Sequence, residues 1–295
     1  MTALQNIHSE IVLKRFCPAK INLVLEVLDK RSDGYHNIQT VFQKLRISDS
    51  LTARYASTLV FETNRPVTLN PQDNLVYKAA LLLKEQYKVE QGALLYLEKN
   101  LPDGAGLGGG SSDAAQALLI CAELWNLKVP FGELQVMAQS LGADVPLFLE
   151  PHSTYLGQGK GELLTPLPSP KSPWVLIATP RAYVSTALAY QNLQPRQNST
   201  LNQFVNTLSA NPHSPYLHKL LGNHFEATVY KNYPVIEQCA LKIKESQPLA
   251  FGLCGSGASL YAFYSDLRSA QASYKKMSPL CRYSSLTQFL IPHQF

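Results

Sequence analysis

Residues 102–112 read PDGAGLGGGSS, five glycines in eleven positions, and an apolar stripe of Ala114, Ala117, Leu118, Cys121 and Trp125 follows at helical spacing. A structural turn needs one or two glycines, so this density frees the backbone to approach a ligand closely. The helix behind the loop, with Ser111 or Ser112 as the expected cap, makes it an anion site. First-turn N–H groups lack intrahelical partners and stand at the end carrying about half a positive charge. A di- or triphosphate is the natural guest, and the two serine hydroxyls add donors.

Other readings of the loop remain open on the residues alone. One is a tight turn and helix cap with no ligand. A dinucleotide fold is another, since Gly104, Gly106 and Gly109 satisfy G-x-G-x-x-G. That fingerprint wants an acidic residue at a strand end about 20 residues on, and Glu123 falls inside the expected helix. A Walker loop fails, because G-x-x-x-x-G-K-[ST] occurs nowhere in the chain. The remaining reading is a nucleotide loop without its own lysine, whose balancing cation comes from elsewhere.

Lys20 is the leading candidate for that cation. In INLVLEVL, residues 21–28, Ile21, Leu23, Leu25 and Val27 share one face of an expected strand, so Lys20 and Asn22 point together to the other. A lone lysine at a strand start is ordinarily a solvated end; this one follows Pro18-Ala19. Asp144 lies among Gly142, Ala143, Val145 and Pro146, where an aspartate is either a turn residue or a buried carboxylate in need of a partner. A lysine would meet that need, and the pair would then offer a base for a hydroxyl proton.

At 295 residues the chain is near the length, roughly 250–300 residues, at which single cores divide, so two domains are expected. The border is placed in TPLPSPKSP, residues 165–173, giving domains 1–165 and 166–295. Further expectations are helices from a cap at Asp73 or Asn74 to about Tyr87, over 131–141 ending at Gly142, over 225–245 and after Asp266. Strands are expected near 94–98, at WVLIA and at ASLYAFY, with 191–215 irregular around one short helix. Strands and helices alternating without βαβ runs imply an α+β fold.

Composition, 45% hydrophobic and 16% charged, is that of a globular protein with a sizeable core. No apolar run nears the roughly 20 residues that span a bilayer, and the first residues lack a signal-peptide core. A cytoplasmic protein without membrane association is therefore expected. Five scattered cysteines, never in C-x-x-C, argue against a disulfide framework or a zinc site. A net charge of +5 with no basic block suits a small acidic ligand better than a nucleic acid.

Three motifs in order, CPAKIN at 17–22, PDGAGLGGGSSDAA at 102–115 and GLCGSGASLYAF at 252–263, resemble those of the GHMP kinase superfamily. RSDGYHNIQTVFQ at 31–43 and LGADVPLFL at 141–149 make the chain most similar to the members that phosphorylate a cytidine diphosphate sugar alcohol in the non-mevalonate isoprenoid pathway. The resemblance covers most of the chain and is weakest over 191–216. It implies an N-terminal domain like domain 2 of ribosomal protein S5, a C-terminal ferredoxin-like domain, and a site in the cleft between them.

By that resemblance Lys20 and Asp144 are catalytic, with Asp144 the base toward the acceptor hydroxyl. Asn74, Pro102, Asp103, Gly104, Ala105, Gly106, Leu107, Gly108, Gly109, Gly110, Ser111 and Ser112 would bind ATP. Asn22 would lie beside the acceptor, and Tyr35 and His36 would receive the cytosine. ATP with Mg2+ is implied. No metal ligand is assigned: Ser112 is one option, and an ion held by phosphate and water is the other. Cys254 departs from the third motif, where members carry threonine or serine. Other GHMP kinases, for homoserine, mevalonate or a sugar, and a non-catalytic sensor are the alternatives; no oligomeric state is read.

Overall fold

Two long strands, β1 (Val12–Lys30) and β2 (His36–Ala56), pair antiparallel along nearly their whole length. They belong to a computed structural model that describes residues 11–65, 68–191, 193 and 199–291. The register of the pair shifts between Asn22 and Val24, and this bulge divides the apolar row expected to share one face. Ile21 and Leu23 pack with one core cluster, while Leu25 and Val27 join another.

The first half continues with β3 (Val60–Thr63), α1 (Leu75–Gln86), β4 (Gly92–Glu98), α2 (Gly109–Leu124), α3 (Phe131–Leu141), β5 (Thr154–Gln158) and β6 (Leu163–Pro166). β2 is long enough to share its far edge: Ser50–Ala56 pair with β4, and Thr40–Gln43 pair with β5. Helices α1 and α2 cover this sheet through fully buried Val76, Leu83, Ala117, Leu118 and Cys121, and α3 packs against the two helices. Truncating a leucine such as Leu118 to alanine in that layer costs about 2–5 kcal/mol. Asn74 caps α1 as expected, its Oδ1 accepting from the Val76 N–H at 2.9 Å.

The second half holds β7 (Trp174–Pro180), α4 (Thr186–Gln191), α5 (Leu201–Ala210), β8 (Gly222–Asn223), α6 (Glu226–Asn232), α7 (Pro234–Lys244), β9 (Ala250–Leu253), β10 (Leu260–Tyr264), α8 (Leu267–Met277) and β11 (Cys281–Thr287). Its sheet runs β11-β7-β10-β9, all antiparallel. Counted within this half the order is 4-1-3-2, which is the ferredoxin-like arrangement. β8 leaves that sheet and pairs parallel with β1 at Val24 and Leu25. The molecule thus has a two-sheet α+β fold.

Two local expectations change. The helix expected over 225–245 is two, α6 and α7, because Pro234 cannot donate to a preceding turn and opens a new helix at its first position. α2 begins at Gly109 with left-handed Gly108 as its cap, two residues before the serines expected to cap it. Within 191–215 the short helix is α5, while residues 192 and 194–198 of that stretch lie outside the described residues. No helix among the described residues is long and apolar enough to cross a membrane.

Candidate active site

The glycine loop is folded by close backbone contact with the third motif. Gly106 has φ +77°, and a Cβ there would stand 1.9 Å from the Cys254 carbonyl oxygen, so only glycine fits. Ser259 N–H donates to Ala105 O at 3.1 Å, and Lys20 N–H donates to Leu107 O at 2.8 Å. The first motif and the third therefore hold the loop from its two sides. Cys254 is fully buried and contributes its backbone to this packing; burial pushes its thiol up to about 12.

Two cavities meet at the loop. One, of about 370 Å³, is lined by Asn74, Leu75, Lys99 and the loop from Pro102 through Ser111. The other, of about 850 Å³, is lined by Lys20, Asn22, Tyr35, His36 and Asp144 together with Gly255-Ser256-Gly257. Gly104, Gly106, Gly108 and Ser111 line both, so the loop is the partition between them. Ser112 faces neither: it is fully buried, and its Oγ has no hydrogen-bond partner among the described residues.

On the larger cavity's wall a polar chain runs inward from Asp144. Its Oδ2 lies 3.3 Å from Lys20 Nζ, which donates to Asn22 Oδ1 at 3.0 Å. Asn22 Nδ2 donates to Thr40 Oγ1 at 2.8 Å, and that hydroxyl donates to Val24 O at 2.7 Å. Lys20 and Asn22 share a face as the strand alternation predicts. The lysine side chain is 5% exposed and the aspartate 31%, so the carboxylate is the member open to a ligand. An ammonium has three N–H donors; two are turned to Asn22 and Asp144, which leaves one.

At the far end of this cavity Tyr35 is exposed, with Lys160 Nζ 4.9 Å from its ring centroid. The His36 ring stacks on Tyr190 at 4.8 Å and 18°, and Tyr190 meets Phe225 edge-on at 4.8 Å. Burial, with the Asp144 charge behind it, raises the Tyr190 phenol to about 12. Sequence reasoning missed Tyr190, which sits on a six-residue helix in a polar stretch without periodicity. It also missed Asn223, whose Nδ2 donates to Leu253 O at 2.9 Å and Gly255 O at 2.7 Å and so fixes the third motif.

Beneath the smaller cavity lies a buried charge set. Lys99 Nζ donates to Asp49 Oδ2 at 2.6 Å and to Asp113 Oδ2 at 2.8 Å, while Asp49 Oδ1 accepts from the Asn100 and Leu101 N–H groups. Burial pushes the Asp113 carboxyl up to about 7 against the pull of Lys99. Burial works against the Lys99 ammonium too, but the charges of Asp113 and Asp49 outweigh it and raise Lys99 to about 12. A signal was present in the sequence: an aspartate directly after the phosphate-loop serines needs a cation to be tolerated there.

A glycine loop opening a helix, with a buried lysine and an accessible carboxylate across it, is the layout of a GHMP kinase, and residues 74–150 match the GHMP kinases N terminal domain. The 4-diphosphocytidyl-2-C-methyl-D-erythritol kinase of Chlorobium phaeobacteroides (strain BS1) is 37% identical over 256 residues, covering 86% of this chain and 89% of that protein. That of Salinibacter ruber (strain DSM 13855 / M31) is 35% identical over 276 residues, covering 90% and 95%. A crystal structure of 4-(cytidine 5'-diphospho)-2C-methyl-D-erythritol kinase aligns with a TM-score of 0.80 at 28% identity, over 94% of this chain and 99% of that one. The chain belongs to the 4-diphosphocytidyl-2-C-methyl-D-erythritol kinase family.

Proposed function

We propose that this protein is an ATP-dependent kinase that phosphorylates the 2-hydroxyl of 4-diphosphocytidyl-2-C-methyl-D-erythritol, within the non-mevalonate route to isoprenoid precursors. The observation that carries the reading is the Asp144–Lys20 pair, 3.3 Å apart, on the wall of the larger cavity where the phosphate loop divides it from the smaller one. In this reading ATP lies in the smaller cavity, adenine toward Asn74 and phosphates along residues 102–111. The acceptor lies in the larger one, with its base toward Tyr35 and His36 and its hydroxyl at Asp144 beside Asn22.

Asp144 accepts the hydroxyl proton as the acceptor oxygen bonds to the γ-phosphorus and the bond to ADP breaks. The third N–H of Lys20 points its charge at the transferring group, and Asn22 holds the ammonium in place. Helix α2 and the glycine amides stabilise the phosphates that stay behind. Mg2+ would neutralise phosphate charge. Among the described residues no group of three or more His, Cys, Asp or Glu side chains could hold an ion, and Ser112 lines neither cavity. Both facts favour an ion carried in on the phosphates and water.

The reading keeps the border within residues 165–173, supported by β6 ending in the first sheet at Pro166 and β7 opening the second at Trp174. A cytosolic site of action suits five buried cysteines without a disulfide. The test is ADP release against four acceptors: the cytidine diphosphate of methylerythritol, mevalonate, homoserine and galactose. Turnover with the first alone is expected. Turnover with only one of the other three would overturn the assignment.

A further inference from the structure

The tip of the phosphate loop is tied to the second sheet by a contact that none of the three motifs contains. The pairing of β11 with β7 shifts register between Cys281 and Tyr283, which leaves Arg282 as the extra residue of a bulge. A bulge re-aims the side chain it carries, and this one turns Arg282 onto the loop. Its Nη2 donates to Asp103 O at 2.7 Å, and its guanidinium carbon stands 4.5 Å from the Tyr183 ring centroid. Tyr183 Cδ1 in turn lies 4.0 Å from where a Gly104 side chain would begin.

The opposite side of the tip is held from the first half. Arg65 Nη2 donates to Leu101 O at 2.5 Å and pairs with the Asp103 carboxylate at 3.4 Å. Two arginines, Arg282 on β11 and Arg65 just after β3, thus fix the residues that enter the glycine run. Arg282 lines neither cavity, so it reaches a bound nucleotide only through the loop.

We infer that Arg282 is a positioning residue for the nucleotide: through Asp103 and the Tyr183 ring it aligns the loop amides before ATP arrives. This rests on the assignment of the loop to ATP phosphates. A loop ordered in advance binds without first losing conformational freedom, so removing the tie weakens nucleotide binding and spares the chemical step. A lysine at this position keeps the charge but cannot both lie flat on Tyr183 and donate in the plane of the fork.

Calorimetric ADP affinity, KM for both substrates, kcat and melting temperature of Arg282→Met, Arg282→Lys, Tyr183→Ser and Gly108→Val test the inference. Arg282→Met should lose about tenfold in ADP affinity and raise KM for ATP by as much, the effect of about one hydrogen bond. Its kcat and acceptor KM should stay within about twofold, with Arg282→Lys recovering part of the loss. Tyr183 is 72% exposed, so Tyr183→Ser keeps the fold and should show a smaller loss of the same kind should Arg282→Met fail to fold. Unchanged ADP affinity in folded Arg282 and Tyr183 variants, or an equal rise in acceptor KM, overturns the role of Arg282. If Gly108→Val also keeps ADP affinity, the loop itself is wrongly assigned.

Discussion

The same substitution two residues apart in the glycine run should have opposite effects. Gly108 has φ +70°, and a Cβ there would lie 3.0 Å from both Lys20 Cγ and Phe148 Cζ. The left-handed backbone costs an alanine roughly 1–2 kcal/mol, and overpacking adds about 1–3 kcal/mol. Gly108→Ala should therefore lose about 2–5 kcal/mol, and the displaced lysine should draw kcat down with it. Gly110 lies inside α2, and the nearest atom to its Cβ position is Leu75 Cδ1 at 3.9 Å. Gly110→Ala should gain about 0.4–1 kcal/mol from the lower entropy of the unfolded chain. Urea midpoints at constant slope read the stabilities, and coupled ADP release reads turnover. Stability shifts of the same sign in both variants, or full kcat in Gly108→Ala, would refute the reasoning.

The buried charge set gives a pH signature. The Asp113 carboxyl is raised to about 7 in the fold, against about 3.9 for an unperturbed aspartate. Its stabilising contribution is thus full below about pH 4 and lost as pH rises through about 7. Asp113→Asn should gain on the wild type between about pH 4 and pH 7, by up to about 1.4 kcal/mol per pH unit, with the gap level above about pH 7; a gap that is flat across pH 4 to 7 contradicts this. For the base site, Tyr35→Ala should lower kcat/KM for cytidine and uridine acceptors alike, by about 1–3 kcal/mol. His36→Ala should instead narrow the preference between them, and an unchanged preference in that variant would place the discriminating contact elsewhere.

What was legible in the sequence is what carries its own physical signature. Glycines packed at 104–110 announced a ligand-hugging backbone, and strand alternation put Lys20 and Asn22 on one face, where their side chains are hydrogen-bonded at 3.0 Å. Asp144 read as either a turn residue or a carboxylate in need of a cation; it lies in a turn, 31% exposed, with Lys20 Nζ 3.3 Å away. Contacts made by single polar residues outside the motifs left no such trace. Asn223 reaches Gly255 across 32 positions and Arg282 reaches Asp103 across 179, each a single polar residue with no period around it. The long β2 and the short β5 and β6 were likewise not foreseen, since charged and polar residues interrupt their alternation. Pro234 was a visible helix break, and weighing it would have divided the helix expected over 225–245.

The central claim is that Asp144 takes the proton of the acceptor hydroxyl while the phosphate loop alone secures ATP. An amide in place of that carboxylate keeps the shape of the side chain and loses the base, leaving every loop contact in place. The direct measurement is kcat of Asp144→Asn at saturating substrates, taken with its ADP affinity. The account predicts a fall in kcat of about 10²–10⁴-fold with ADP affinity within about twofold of wild type. Near-normal turnover at saturation would contradict it and reduce Asp144 to a structural partner of Lys20.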